Sequence, residues 1–243
     1  MLSDPATEVT AATKKPVQLP LLVTGCGRSG TKYIAFALRR MGLDVRHERL
    51  GRDGISSWTM AVRTERRPYG PPSSASSFKQ IFHQTREPLQ VIQSCLSFTE
   101  SSWDFISENV PCPRIAPLII RAATYWVLWN EKAEEIATWR YRIEDFPDLA
   151  LEEFRDRLKG FYDRRSIDTI PRNFNTRKQG RSFHLTAEAF HRIGMSPPSW
   201  LRSTVGKSPN SCQVTWARLE ALDPKLCAKL KSKAAFYGYA IDD

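Results

Sequence analysis

At 243 residues and 27.8 kDa, the chain is long enough to bury one sizeable α/β core and gives no reason to expect a second domain. An apolar fraction of 41 %, with seven Trp and twelve Phe, excludes disorder throughout, and 26 % charged residues is ordinary for a globular chain. The 36 Lys and Arg outnumber the 26 Asp and Glu, and the net charge of +10 predicts attraction to polyanions; no run of five basic residues occurs, which speaks against a basic nucleic-acid-binding tail.

Residues 1–17 mix Ser, Thr, Ala and charge without periodicity and are expected to form a disordered tail before a single domain over 18–243. Residues 19–24 (LPLLVT) are a continuous apolar run closed by Gly25, the pattern of a strand buried on both faces. Over 31–41, Tyr33, Ile34, Ala37, Leu38 and Met41 recur at helical spacing, and Gly42 supplies the stop. A second strand is expected over 45–50, a helix over 55–64 and a Pro/Ser-rich loop over 66–77. Residues 78–84 read as a strand and 88–98 as a helix with Pro in its first turn. A long helix over 117–138 carries Trp126 and Trp129 toward the core, and a strand over 139–143 ends in Glu144 and Asp145. Beyond residue 149 the pattern is mostly helical, broken by the basic stretch 171–181 (PRNFNTRKQGR), and 215–239 reads as two helices split at Asp223-Pro224.

Strands alternating with helices predict an α/β fold, a three-layer sandwich with a central, mostly parallel sheet flanked by helices, of the phosphate-loop nucleotide-binding type. The five cysteines are widely separated and include no CxxC pair, so neither a zinc site nor a disulfide framework is expected. With no apolar run of signal-peptide or membrane-spanning length, the expectation is a soluble cytoplasmic protein.

The strongest chemical signal is the loop Gly25-Cys26-Gly27-Arg28-Ser29-Gly30-Thr31-Lys32 between the first strand and the first helix. Such a turn aims backbone N–H groups and the positive helix end at one point, an anion site. Gly25 and Gly30 have Walker A spacing, but Thr31-Lys32 stands where a triphosphatase needs Lys followed by Ser or Thr. That order disfavours an ATPase or kinase, because the lysine cradles the outer phosphates and the following hydroxyl holds magnesium.

The run GCGRSGTKY resembles the 5′-phosphosulfate loop of sulfotransferases that use 3′-phosphoadenosine 5′-phosphosulfate (PAPS). Residues 83–94 (HQTREPLQVIQS) resemble that family's 3′-phosphate segment, a strand ending in Arg86 with Ser94 eight residues later on the next helix. The resemblance implies that Gly27, Arg28, Ser29, Gly30, Thr31 and Lys32 hold the 5′-phosphosulfate, with Arg28 in the position of the catalytic Lys. It also implies that Tyr33 stacks on the adenine and that Arg86 and Ser94 bind the 3′-phosphate. Residues 140–146 (RYRIEDF) are similar to a family strand ending in Tyr-Glu-Asp, with Ile143 in place of the tyrosine. Arg177, Lys178 and Arg181 occupy the place of the family's basic 3′-phosphate lid but lack its Lys-Gly pair.

The expected reaction is in-line transfer of a sulfuryl group to a hydroxyl or amine of a small molecule or carbohydrate, with no metal required and no nucleic-acid partner. The base is sought among His47 and Glu48 at the end of the second strand, with His83 a third candidate; alternation along a strand predicts that only one of His47 and Glu48 faces the site. Ser56, Trp58, Phe98, Trp103 and Phe105 are candidates for the acceptor wall. Two other classes stay open: a nucleotide kinase or triphosphatase with a degenerate Walker A loop, and a non-catalytic basic nucleic-acid-binding protein.

Overall fold

The apolar run of strand β1 (Val17–Thr24) can be buried on both faces, so it takes the middle of the sheet: Leu21 and Val23 pack on one side, Leu22 on the other. The computed structural model describes residues 17–72, 76–146, 153–158 and 213–241. Around β1 lie β2 (Val45–His47), β3 (Gly54–Ser56), β4 (Ser76–Thr85) and β5 (Trp139–Arg142), all parallel, in the order β2-β3-β1-β4-β5. Leu22 stands between Ile55 and Ile81, which fixes the register at the centre.

Helix α1 (Thr31–Arg40) covers one face. Its buried stripe of Tyr33, Ile34, Ala37 and Leu38 packs with Phe82, Tyr141, Phe146 and Leu158, the last just past the short α5 (Glu153–Arg157). The other face is covered by α2 (Pro88–Cys95), α3 (Glu100–Asn109), α4 (Leu118–Ile136), α6 (Trp216–Leu222) and α7 (Pro224–Phe236). Trp126 and Trp129 of α4 are fully buried there, as their spacing predicts. The molecule is therefore an α/β sandwich with a five-stranded, all-parallel sheet. Among the described residues no helix is long and apolar enough to cross a membrane.

Two elements differ from expectation. The stretch read as a helix over 55–64 is instead strand β3 followed by one 3-10 turn, Trp58–Ala61. Pairing with β1 decides this: a Cβ at Gly54 would lie 1.8 Å from the Leu21 carbonyl oxygen, so glycine lets the two backbones close, and buried Ile55 then continues the ladder. Helix α3, absent from the expected elements, buries Trp103, Phe105 and Ile106 after an N-cap at Thr99. The chain leaves β1 toward β2 and β3, then crosses back to β4 on the other side. That reversal puts a topological switch point at the carboxyl ends of β1 and β4, the usual ligand position in open parallel sheets.

Candidate functional site

The loop from Gly25 to Gly30 follows β1 at that switch point, and three of its peptide groups are pinned from outside. The Gly27 N–H donates to the buried Tyr125 hydroxyl of α4 at 2.7 Å. The Arg28 carbonyl accepts from Arg86 Nη1 at 3.1 Å, and the Ser29 carbonyl from Gln84 Nε2 at 2.7 Å. Arg28 and Gly30 both have left-handed backbones, φ 70° and 97°. A left-handed Gly30 is the N-cap of α1, a conformation that costs glycine nothing, and it offers no side chain to the helix amides. The first turn contains no acidic residue and carries exposed Lys32 instead. The amides at the start of α1 thus lack the usual capping group, and the adjacent charge is positive. The Ser29 hydroxyl is buried here with no hydrogen-bond partner among the described residues.

The second motif meets the first directly. Besides its bond to the Arg28 carbonyl, the half-buried Arg86 donates through Nη2 to Gln90 Oε1 at 2.8 Å. Ser94 follows Gln90 by one helical turn on α2, so it lies on the same face. Just beyond it, the Ser97 hydroxyl bonds the Ser94 carbonyl at 2.9 Å and lies 3.4 Å from Arg28 Nη2, whose guanidinium stands over the Phe98 ring. The structure therefore brings Arg28, Arg86 and Ser94 to one edge.

The carboxylates next to Arg86 are engaged in framework contacts. Glu87 caps α2, accepting from the Leu89 and Gln90 amides at 2.9 and 2.7 Å. Glu144 accepts from the Glu87 N–H and the Tyr239 hydroxyl, and Asp145 pairs with Arg142. Ile143 packs under Gly30. Tyr33 is buried edge-on against Phe146, a core position on α1.

Of the three base candidates, His83 is a core residue. Fully buried, it bonds Asn130 Oδ1 through Nε2 at 3.0 Å, packs edge-on against Tyr237, and has its imidazolium suppressed by burial to a pKa of about 4. His47 and Glu48 are different, and strand alternation does not separate them. Strand β2 ends at His47, and Glu48 turns left-handed at φ 58°, so both side chains meet: His47 Nε2 lies 3.4 Å from Glu48 Oε1 and 3.2 Å from the Thr31 hydroxyl. Burial, reinforced by the Lys32 charge, lowers His47 to about 4 and leaves the ring neutral at pH 7. Burial raises the Glu48 carboxyl to about 7, although the Ser57 hydroxyl at 2.5 Å and the Trp58 amide favour the anion. A carboxyl poised near neutrality beside the glycine loop is suited to accept a proton.

The aromatic residues expected on an acceptor wall are mostly core. Trp58, Trp103 and Phe105 are buried in one cluster with Tyr125 and Trp129, and the partly buried Phe98 packs against it. Ser56 donates to the Thr31 carbonyl at 2.8 Å, bracing the start of α1. Arg177, Lys178 and Arg181 lie outside the described residues. Sequence reasoning missed Gln84, Tyr125 and Ser57. Gln84 could have been flagged, because a polar residue inside a buried strand, two positions before Arg86, needs partners.

Compared with family models, curated proteins and solved structures, the chain matches none. Its function has to be inferred from its own residues.

Proposed function

We propose that the glycine loop and the Arg86 segment beside it bind PAPS and that the protein transfers its sulfuryl group to a hydroxyl or amine of a small molecule or carbohydrate. The observation that carries this reading is the hydrogen bond from Arg86 to the Arg28 carbonyl, which joins the two phosphate-type motifs at one edge. A second guanidinium with a serine beside it is the fork-and-hydroxyl arrangement that a 3′-phosphate would engage.

In this reaction the acceptor oxygen or nitrogen attacks sulfur as the bond from sulfur to the 5′-phosphate oxygen breaks, and adenosine 3′,5′-bisphosphate leaves. Glu48 takes the acceptor's proton. His47, neutral and in reach of both Glu48 and Thr31, orients the carboxylate against the loop. Arg28 stabilises the charge growing on the bridging oxygen, and the amides and side chains from Ser29 to Lys32 hold the 5′-phosphate. The reaction is chiefly positioning and charge stabilisation, which fits a loop whose peptide groups are pinned from three sides.

The test is calorimetric titration with adenosine 3′,5′-bisphosphate, ATP and ADP, each without magnesium. The bisphosphate should bind most tightly, and Arg86→Ala should abolish its advantage over ADP. Equal or stronger ATP binding would overturn the proposal in favour of a nucleotide kinase or triphosphatase.

A further inference from the structure

We propose that Gln84, locked in orientation by Tyr141, is the positioning residue that sets the anion loop, by holding the Ser29 carbonyl inward so that the Gly30 N–H faces the ligand. The inference rests on the anion-binding reading of the loop, though not on which anion is bound.

Gln84 is fully buried on β4, and both ends of its amide are used. Its Nε2 donates to the Ser29 carbonyl at 2.7 Å, and its Oε1 accepts from the Tyr141 hydroxyl at 2.5 Å. The amide cannot be reversed: a carbonyl oxygen only accepts, so nitrogen must face Ser29, and oxygen is left for the phenol. Burial holds the Tyr141 phenol well above its ordinary pKa, so it keeps the proton it donates. The orientation therefore runs from β5 through β4 into the loop.

The consequence follows from peptide geometry. In a trans peptide the C=O and N–H of one unit point in opposite directions. Anchoring the Ser29 carbonyl on Gln84 turns the Gly30 N–H away from β4, at the head of the uncapped helix α1. A Cβ on Gly30 would stand 3.4 Å from Gln84 Nε2, so the same amide also forms the floor under that residue. Without the donor, the Ser29 peptide has a buried, unpaired carbonyl and a reason to flip, which would present a carbonyl oxygen to the anion in place of an N–H. None of the proposed chemistry uses Gln84 directly, which makes its double engagement the informative feature.

The test compares the unchanged protein with Gln84→Met, which keeps the length of the side chain but has no donor in any protonation state, and Tyr141→Phe, which leaves the donor but frees its orientation. Inorganic phosphate and adenosine 3′,5′-bisphosphate are titrated into each while the backbone amide resonances of Gly30, Thr31 and Lys32 are followed by NMR. In the unchanged protein both anions should shift these resonances. Gln84→Met should weaken both by about tenfold, the equivalent of one lost hydrogen bond, and Tyr141→Phe by about threefold. The Gly30 resonance should move in the anion-free variants. Phosphate binding undiminished in Gln84→Met would overturn the proposal, as would amides that respond to neither anion in the unchanged protein. If Gln84→Met does not fold, undiminished binding in Tyr141→Phe does the same. A loop that binds phosphate but prefers ATP to the bisphosphate would remove the PAPS reading and leave the role of Gln84 standing.

Discussion

The carboxyl edge of the sheet has two halves that treat charge in opposite ways. Beyond β4 and β5, the acidic side chains described near the edge are matched: Glu87 caps α2, Glu144 accepts from the Glu87 N–H and the Tyr239 hydroxyl, and Asp145 faces Arg142. Beyond β1 and β2, α1 begins at a glycine with no cap and no acid in its first turn, Lys32 adds to the positive end, and the partly buried Glu48, bonded by the Ser57 hydroxyl, has its carboxyl raised to about 7. Two helices that start from adjacent parallel strands thus differ in one respect: α2 has a side-chain cap at its start, and α1 has none. Local mismatch of this kind, beside a satisfied neighbour, marks a binding site more sharply than either half alone.

The largest expected effect comes from removing the raised carboxyl on the unmatched side. Glu48→Gln should lower sulfuryl transfer by about 10²–10⁴-fold, the usual range for a lost general base. Turnover of the unchanged protein should rise with pH through about 7 as Glu48 ionises, and the variant's residual rate should be flat there. Stability gives the sign check. A carboxyl raised in the folded state, from 4.5 to about 7, contributes most below its unfolded value, and that contribution is lost as pH rises across this interval. The melting temperature of Glu48→Gln relative to the unchanged protein should therefore climb between those pH values and level off above them. A constant difference across that window would show that Glu48 is an ordinary surface carboxylate.

Making α1 resemble α2 is the next test. Lys32 is exposed, so Lys32→Glu can be made without disturbing packing, and it places an acid in the first turn of a helix that has none. Relief of the helix end should raise the melting temperature by about 1–3 °C, while affinity for adenosine 3′,5′-bisphosphate falls by about tenfold or more. Loss of both stability and affinity would mean that the uncapped start is not held open for a ligand.

How far these contrasts could be read in the sequence depends on whether they are local. The loop 25–32, the stripe of α1 and the long α4 follow from spacing within a few turns of chain, and the structure places them as expected. Strand β3 was hidden because its three residues, Gly54–Ser56, carry no decisive period, and it forms because Gly54 lets β1 approach. Alternation predicted that one of His47 and Glu48 would face away, and a single left-handed residue at Glu48 undid that rule. The Gln84 and Tyr125 contacts to the loop span 55 and 98 residues, separations at which no periodicity speaks. The motif was therefore legible, and the parts that hold it in place were not.

The smallest effect tests the matched half. Glu87→Ala removes the two cap bonds to Leu89 and Gln90 and should cost about 1 kcal/mol, a fall in melting temperature of about 2–4 °C. The charge removed is the neighbour of Arg86, whose guanidinium reaches Gln90 on the first turn of α2. If Glu87 serves only the helix, affinity for the bisphosphate should hold or rise slightly, because an anion beside the proposed 3′-phosphate position has gone. A tenfold loss of affinity would show instead that the cap sets the register of Gln90 and Ser94. The matched half would then be part of the binding site, and the division between the two sides of the sheet edge would fail.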